Sequence, residues 1–216
     1  MRKFLLYILF LILFSPHING QSFYGGIIAG TTISQVDGDN YGGYHKISPL
    51  GGFYVRNTFN DKWGASLGLE YKRKGSKEVQ KNQYHVITRV YNLSLDYIEL
   101  PFMINYKIKS VGIPGLFKYD FPNDLFIELG LSYSYLLYSR EEINGSVDPN
   151  AKVFRKYEIA DHLGLYYRLN PHWLVYWRFS YTFLFLPIRE HPGGQVYLLN
   201  RGQYNHNMSF SLKYEF

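Results

Sequence analysis

The chain has 216 residues, 23 Lys+Arg against 17 Asp+Glu, no cysteine, and 22 Tyr with 16 Phe. A mild and evenly spread basic surplus argues against nucleic acid as a partner, and a mean hydropathy of -0.21 excludes a bundle of membrane helices. Without cysteine there are no disulfide staples, so stability has to come from the fold itself.

Arg2 and Lys3 precede an unbroken apolar run from Phe4 to Phe14, followed by the polar, turn-prone stretch from Ser15 to Gln21. This is the pattern of a secretory signal peptide over residues 1–20, cleaved after Gly20. The apolar run is too short to span a bilayer as a helix, which takes about 20 residues. Removing Arg2 and Lys3 leaves 21 of the 23 basic residues against the same 17 acidic ones. Residues 21–216 then read as one β domain.

Period-2 alternation between turn signals predicts eight strands. The first, Phe23 to Ser34, is Gly-rich and its facing is open. The second, Ile47 to Phe59, ends in the tight turn Asn60-Asp61-Lys62. In the third, Trp63 to Lys72, Trp63, Ala65, Leu67, Leu69 and Tyr71 share one face, and Gly64, Ser66, Gly68, Glu70 and Lys72 the other. The fourth, Tyr91 to Lys109, places Ile98, Leu100, Phe102, Ile104, Tyr106 and Ile108 outward and Tyr97, Glu99, Met103, Asn105 and Lys107 inward. Pro101 on its inward side predicts a bulge or local bend. The fifth, Leu125 to Tyr138, directs Leu129 and its alternate neighbours outward and Glu128 inward. The sixth, Tyr157 to Leu169, turns at Asn170-Pro171-His172 into the seventh, Trp173 to Phe185, whose outer face is almost wholly aromatic. The eighth, Tyr204 to Phe216, sets Met208, Phe210, Leu212, Tyr214 and Phe216 against Asn207, Ser209, Ser211, Lys213 and Glu215.

Faces of this kind predict an all-β fold: an eight-stranded antiparallel up-and-down transmembrane barrel. Closure removes the sheet edges that hydrocarbon cannot hydrogen-bond. Long polar connections at 35–46, 73–90, 139–156 and 186–203 alternate with the two three-residue turns. Outer-membrane barrels show that asymmetry, with long external loops and short periplasmic turns. The fourteen residues from Ser110 to Asn123 break the pattern: they form a long connection at the periplasmic end, with Val111, Ile113, Leu116, Phe117 and Phe121 packed against the lower rim or a partner.

Eight strands enclose an interior narrow enough for side chains to fill. The inward charges Glu70, Lys72, Glu99, Lys107, Glu128, Arg168, Arg178, Lys213 and Glu215 are of both signs, and a dry interior holds them only as hydrogen-bonded pairs. They predict a plug of salt bridges, with an ion path as the competing reading. Seven scattered histidines show no metal-ligand spacing. Asp37-Gly38-Asp39-Asn40 reads as a turn, because Ser48 stands where a calcium loop needs its closing acid. His162 and serines such as Ser132, Ser134 and Ser180 could face the interior, but the sequence shows no strand-to-strand geometry and no nucleophile is named from residue types alone.

Ser34-Gln35-Val36-Asp37-Gly38-Asp39 with Gly42-Gly43-Tyr44-His45-Lys46, Glu70-Tyr71 followed by Lys74-Gly75-Ser76, the string from Leu95 to Pro101, and the closing strand ending in Phe216 resemble the PorT-like outer-membrane β-barrel family of Bacteroidetes. The resemblance implies an outer-membrane location in a Gram-negative bacterium, insertion by the barrel-assembly machinery, and no cofactor. Through the family's namesake it also implies a link to type IX secretion or gliding; the expected state is a monomer in outer-membrane lipid. The expected role is therefore a non-enzymatic structural or interaction scaffold touching secretion-apparatus or other envelope proteins. A narrow porin-like channel and a lipid-modifying hydrolase are the alternatives.

Overall fold

The computed structural model describes residues 22–39, 41–113, 117–149, 151–190 and 202–216, all of whose regular elements are strands. Residues 1–20, expected to be a signal peptide, and most of the 186–203 connection lie outside the described residues. In chain order the strands are β1 (Ser22–Asp37), β2 (Lys46–Thr58), β3 (Trp63–Lys81), β4 (Ile87–Ile113), β5 (Phe117–Ile143), β6 (Ser146–Val147), β7 (Tyr157–Arg168), β8 (Trp173–Thr182), β9 (Arg189–Glu190) and β10 (Gly202–Glu215). Eight of them close a ring, β1-β2-β3-β4-β5-β7-β8-β10, with β10 returning antiparallel to β1 from Gly26↔Glu215 to Asp37↔Tyr204. The two-residue strands β6 and β9 only edge the long connections, on β5 and β10.

Alternation decides which way each side chain points. On β3, Glu70, Lys72 and Lys74 are buried while Leu67 and Leu69 are half exposed. On β5, Leu129, Leu131, Tyr133, Tyr135 and Leu137 stand outside, and Glu128, Ser132 and Ser134 inside. β1 resolves the same way, with Ile28, Thr32, Ser34 and Val36 inside. An outer wall of exposed Leu, Phe, Trp and Tyr is a surface for hydrocarbon, since in water a continuous patch of that kind drives association.

The two three-residue turns use one device. Asn60 Oδ1 accepts the backbone N–H groups of Lys62 and Trp63, both at 2.9 Å, and Asn170 Oδ1 accepts those of His172 and Trp173 at 3.0 and 2.9 Å. Each Asx turn thereby launches a strand at a tryptophan. Trp63 packs on Tyr106 and Trp173 on Tyr214, giving this end an aromatic rim.

Several expectations are corrected. The wall β3-β4-β5 is taller than the alternation suggests: β3 runs on to Lys81, β4 starts at Ile87, and β5 extends to Ile143, so much of 73–90 and 139–156 is strand. The Ser110–Asn123 connection is likewise a hairpin extension, with Ser110↔Asp120 and Ile113↔Phe117 paired after an irregularity near Ile108. Of the apolar residues expected in it, only Phe121 has a described side chain. β8 stops at Thr182, leaving Phe183 and Phe185 in the following turn with ring centroids 5.7 Å apart.

Pro101 produces no bulge toward β3. The β3–β4 ladder keeps its register from Leu67↔Phe102 to Glu70↔Glu99 and simply lacks the pairs between. Gly68 makes room for the proline ring, for a Cβ there would meet Pro101 Cγ at 2.9 Å. A bulge does lie between β4 and β5: Asp96 pairs with Tyr138 and Tyr97 with Leu136, so Leu137 has no partner. Above it the parity of β5 flips, and Glu141 turns inward. Asn144 and Gly145, with φ of 53° and 81°, make the tight turn into β6.

Candidate functional site: the filled lumen

The lumen is built in layers. At its centre Glu70 and Glu99 sit directly opposite each other on β3 and β4, an arrangement that needs cations between and around the carboxylates. Lys72 Nζ lies 2.6 Å from Glu99 Oε1 and 3.7 Å from Glu70 Oε2. Lys74 Nζ bridges Glu99 Oε2 at 2.8 Å and Glu158 Oε2 at 3.1 Å. Arg178 reaches across from β8 to both Glu70 oxygens at 3.1 and 3.2 Å. Thr182 Oγ1 donates to Glu158 at 2.6 Å, and Asn205 Nδ2 donates to it at 3.1 Å. Glu70, Glu99 and Glu158 are thus balanced by Lys72, Lys74 and Arg178, all buried. A neutral, fully crossed set is the form in which charges persist in a dry interior.

Toward the short-turn end follows an aromatic layer of Ile28, Leu50, Tyr54, Phe126, Tyr166, Leu174 and Tyr176. Tyr176 donates to Glu128 Oε2 at 2.6 Å and accepts from Arg178 Nε at 2.6 Å, joining this layer to the charges above. Lys213 is held by ring faces: its Nζ is 3.8 Å from the Tyr176 centroid and 4.6 Å from that of Tyr54. Below, Arg56 grips Glu215 with two bonds of 2.9 and 3.0 Å, and Arg168 adds a third at 2.9 Å. Toward the other end, Val36, Tyr91, Leu93, Leu95, Tyr97, Leu136, Phe154 and Ile188 form an apolar layer inside the barrel.

The structure therefore brings together Glu70, Glu99 and Arg178 in one network and ties Glu128 to it through Tyr176. Arg168 and Glu215 form a separate group with Arg56. Lys213 rests on tyrosines. Lys107 stands at the mouth, paired with Asp124 at 2.5 Å. Lys74 and Glu158 escape the sequence reading although parity carries both, Lys74 as the next inward position after Lys72. Arg56 escapes it because the facing of its strand is not assigned.

His162 Nδ1 lies 2.7 Å from Ser180 Oγ, and His162 Nε2 is 4.0 Å from Glu99. These are the residue types of a hydrolase triad, yet Ser180 is 0% exposed and sealed between layers. A nucleophile that no substrate reaches does not make a catalytic site. Among the described residues, no three His, Asp or Glu side chains converge as a metal site.

Both mouths are open cups. The one at the long-loop end has a volume of about 360 Å³ and includes Asp39, Arg89, Glu141 and Arg189. There Arg189 pairs with both Glu141 oxygens, at 2.6 and 3.0 Å. Asp39 accepts from Ser76 Oγ and, at 2.9 Å, from the Tyr41 backbone N–H. Burial pushes the Asp39 carboxyl up to about 6, against those hydrogen bonds. The cup at the short-turn end, about 450 Å³, is lined by basic and aromatic residues.

The family model described as outer membrane protein β-barrel domain matches residues 20–184. Among solved structures, the chain is similar to Ail, the attachment invasion locus protein of Yersinia pestis, in complex with the heparin analogue sucrose octasulfate. The identity there is 13%, covering 90% of this chain and 99% of that one, with a TM-score of 0.45. Neisserial surface protein A is 14% identical over 92% of this chain and 100% of that one, TM-score 0.41. The outer membrane protein OprG from Pseudomonas aeruginosa is 14% identical over 91% and 95%, TM-score 0.36. No curated protein matches the chain.

Proposed function

The chain belongs to the outer membrane protein β-barrel domain family, and from that premise we propose that it is a structural or interaction scaffold of the cell envelope. It is an outer-membrane protein whose apolar belt meets lipid. The reading rests on the filled lumen: two hydrophobic layers and a neutral ionic layer lie in series between the cups, which leaves the outer surface and the loops as working parts. Solutes crossing by diffusion would have to break the buried network, so a porin-like channel is the weaker reading.

The hairpin below the barrel, from Ser110↔Asp120 to Ile113↔Phe117, is a structured arm at the periplasmic end where a partner could dock. The strings shared with the PorT-like family of Bacteroidetes extend the proposal to an attachment in type IX secretion or gliding. Residues 1–20 act as the export signal, and the barrel-assembly machinery inserts the mature domain. The test is deletion of the gene and, separately, of the hairpin tip, followed by profiling of secreted proteins, surface motility and co-purifying envelope proteins. Loss of a defined secreted set, with an envelope protein captured only by the intact hairpin, is expected. Normal secretion and motility with no co-purifying protein would contradict the reading.

A further inference from the structure

We propose that the cup at the short-turn end is a binding site for an oxyanion carried on a small apolar body, a phosphate or carboxylate entering from the periplasm. Its volume of about 450 Å³ lies in the range of small-molecule sites. Five cations line it: Arg56, Lys62, Lys107, Lys109 and Arg168. Asp124 takes up Lys107, and Glu215 is shared by Arg56 and Arg168. Asp61 is the one further carboxylate in the wall, so two positive charges stay uncompensated. Lys62 and Lys109 are exposed side chains with no ion-pair partner among the described residues.

Surface lysines alone do not make a site; the buried donor beside them does. Asn105 lines the cup, is 1% exposed, and its Nδ2 has no hydrogen-bond partner. Buried amide donors are nearly always satisfied, so an open one facing a cationic cup points to an absent acceptor. Phe126 also lines the cup and is held in place by stacking on Tyr166, with centroids 4.4 Å apart. Trp63 supplies a second aromatic face. An oxyanion offers the acceptor the Asn105 amide lacks and the charge the lysines call for, while its apolar body covers the Phe126 and Trp63 rings. The opposite cup has the reverse sign, with Asp39, Glu141 and Asp148 outnumbering Arg89 and Arg189. Anion binding is therefore specific to one end, and it stands or falls separately from the scaffold role.

The test uses the mature barrel in lipid nanodiscs, isotope-labelled, with the Asn105 side-chain amide and the Trp63 indole N–H followed by NMR. Phenyl phosphate and benzoate are titrated against inorganic phosphate and phenol. Saturable shifts with either aromatic anion are expected, with inorganic phosphate clearly weaker and phenol silent. A Lys62→Gln/Lys109→Gln variant weakens the aromatic anions by about tenfold, the scale of two partly screened surface charges, while its unboiled gel migration stays that of the folded barrel. No saturation at either resonance overturns the proposal, as does affinity unchanged in the double variant. Phosphate and phenyl phosphate binding equally would remove the apolar body from it.

Discussion

Replacing Glu99 with Gln perturbs the ionic layer at its centre while keeping nearly the same shape. In the native lumen Glu99 faces Lys72 at 2.6 Å and Lys74 at 2.8 Å, with Arg178 at 3.8 Å. After the substitution Glu70 and Glu158 remain against Lys72, Lys74 and Arg178, leaving one cation without a counter-charge where all three are buried. Breaking a buried pair by removing one partner costs about 3–5 kcal/mol, because the other charge stays desolvated. The assay is urea unfolding of the barrel in lipid vesicles, read by tryptophan fluorescence. Glu99→Gln should lose about 3 kcal/mol or more, and adding Lys72→Met, which restores neutrality, should recover a large part of it. A loss below about 1 kcal/mol, the scale of exposed pairs, would mean that water fills the lumen and the reasoning is wrong.

Other outcomes follow from the same structure. Leu129 is 61% exposed on the outer wall, so Leu129→Arg should cost about 2–4 kcal/mol in vesicles. Ser132→Ala, inside, should cost under about 1 kcal/mol, its hydroxyl having no partner; equal effects would invert the assignment of faces. Gly68→Ala forces a methyl to 2.9 Å from the Pro101 ring and should destabilise the β3–β4 seam, by about 1–3 kcal/mol in the same unfolding assay. Asp39 is raised from 3.8 to about 6. Its protonated form therefore contributes stability that is complete below pH 3.8 and lost as pH rises through about 6. Between pH 4.5 and 7.5 that amounts to about 2 kcal/mol, and Asp39→Asn should abolish this part of the pH dependence in parallel titrations of stability.

Within the lipid belt the sequence is legible because water and hydrocarbon impose opposite demands on successive residues. Leu67, Leu69, Leu129 and Leu131 outside, and Glu70, Glu99, Glu128 and Lys213 inside, follow from alternation alone. Above the belt that contrast fades, which is why β3 is read as ending at Lys72 when it continues through Lys74 to Lys81. A bulge is harder still: Leu137 drops out of the ladder and turns Glu141 inward without any local signal. Pairings across the barrel, such as Arg178 with Glu70 from strands far apart in sequence, depend on how the ring closes, and no spacing along the chain encodes them. The cup is similarly hidden, for its cations come from β2, β4, β7 and the first Asx turn.

The claim that the lumen is closed is tested most directly by electrical recording. The purified barrel, inserted into a planar lipid bilayer and shown to be folded by its heat-dependent gel shift, should pass no resolvable current across a wide voltage range. Glu99→Gln should be equally silent. Reproducible stepwise conductance by the native protein would contradict a lumen filled by side chains.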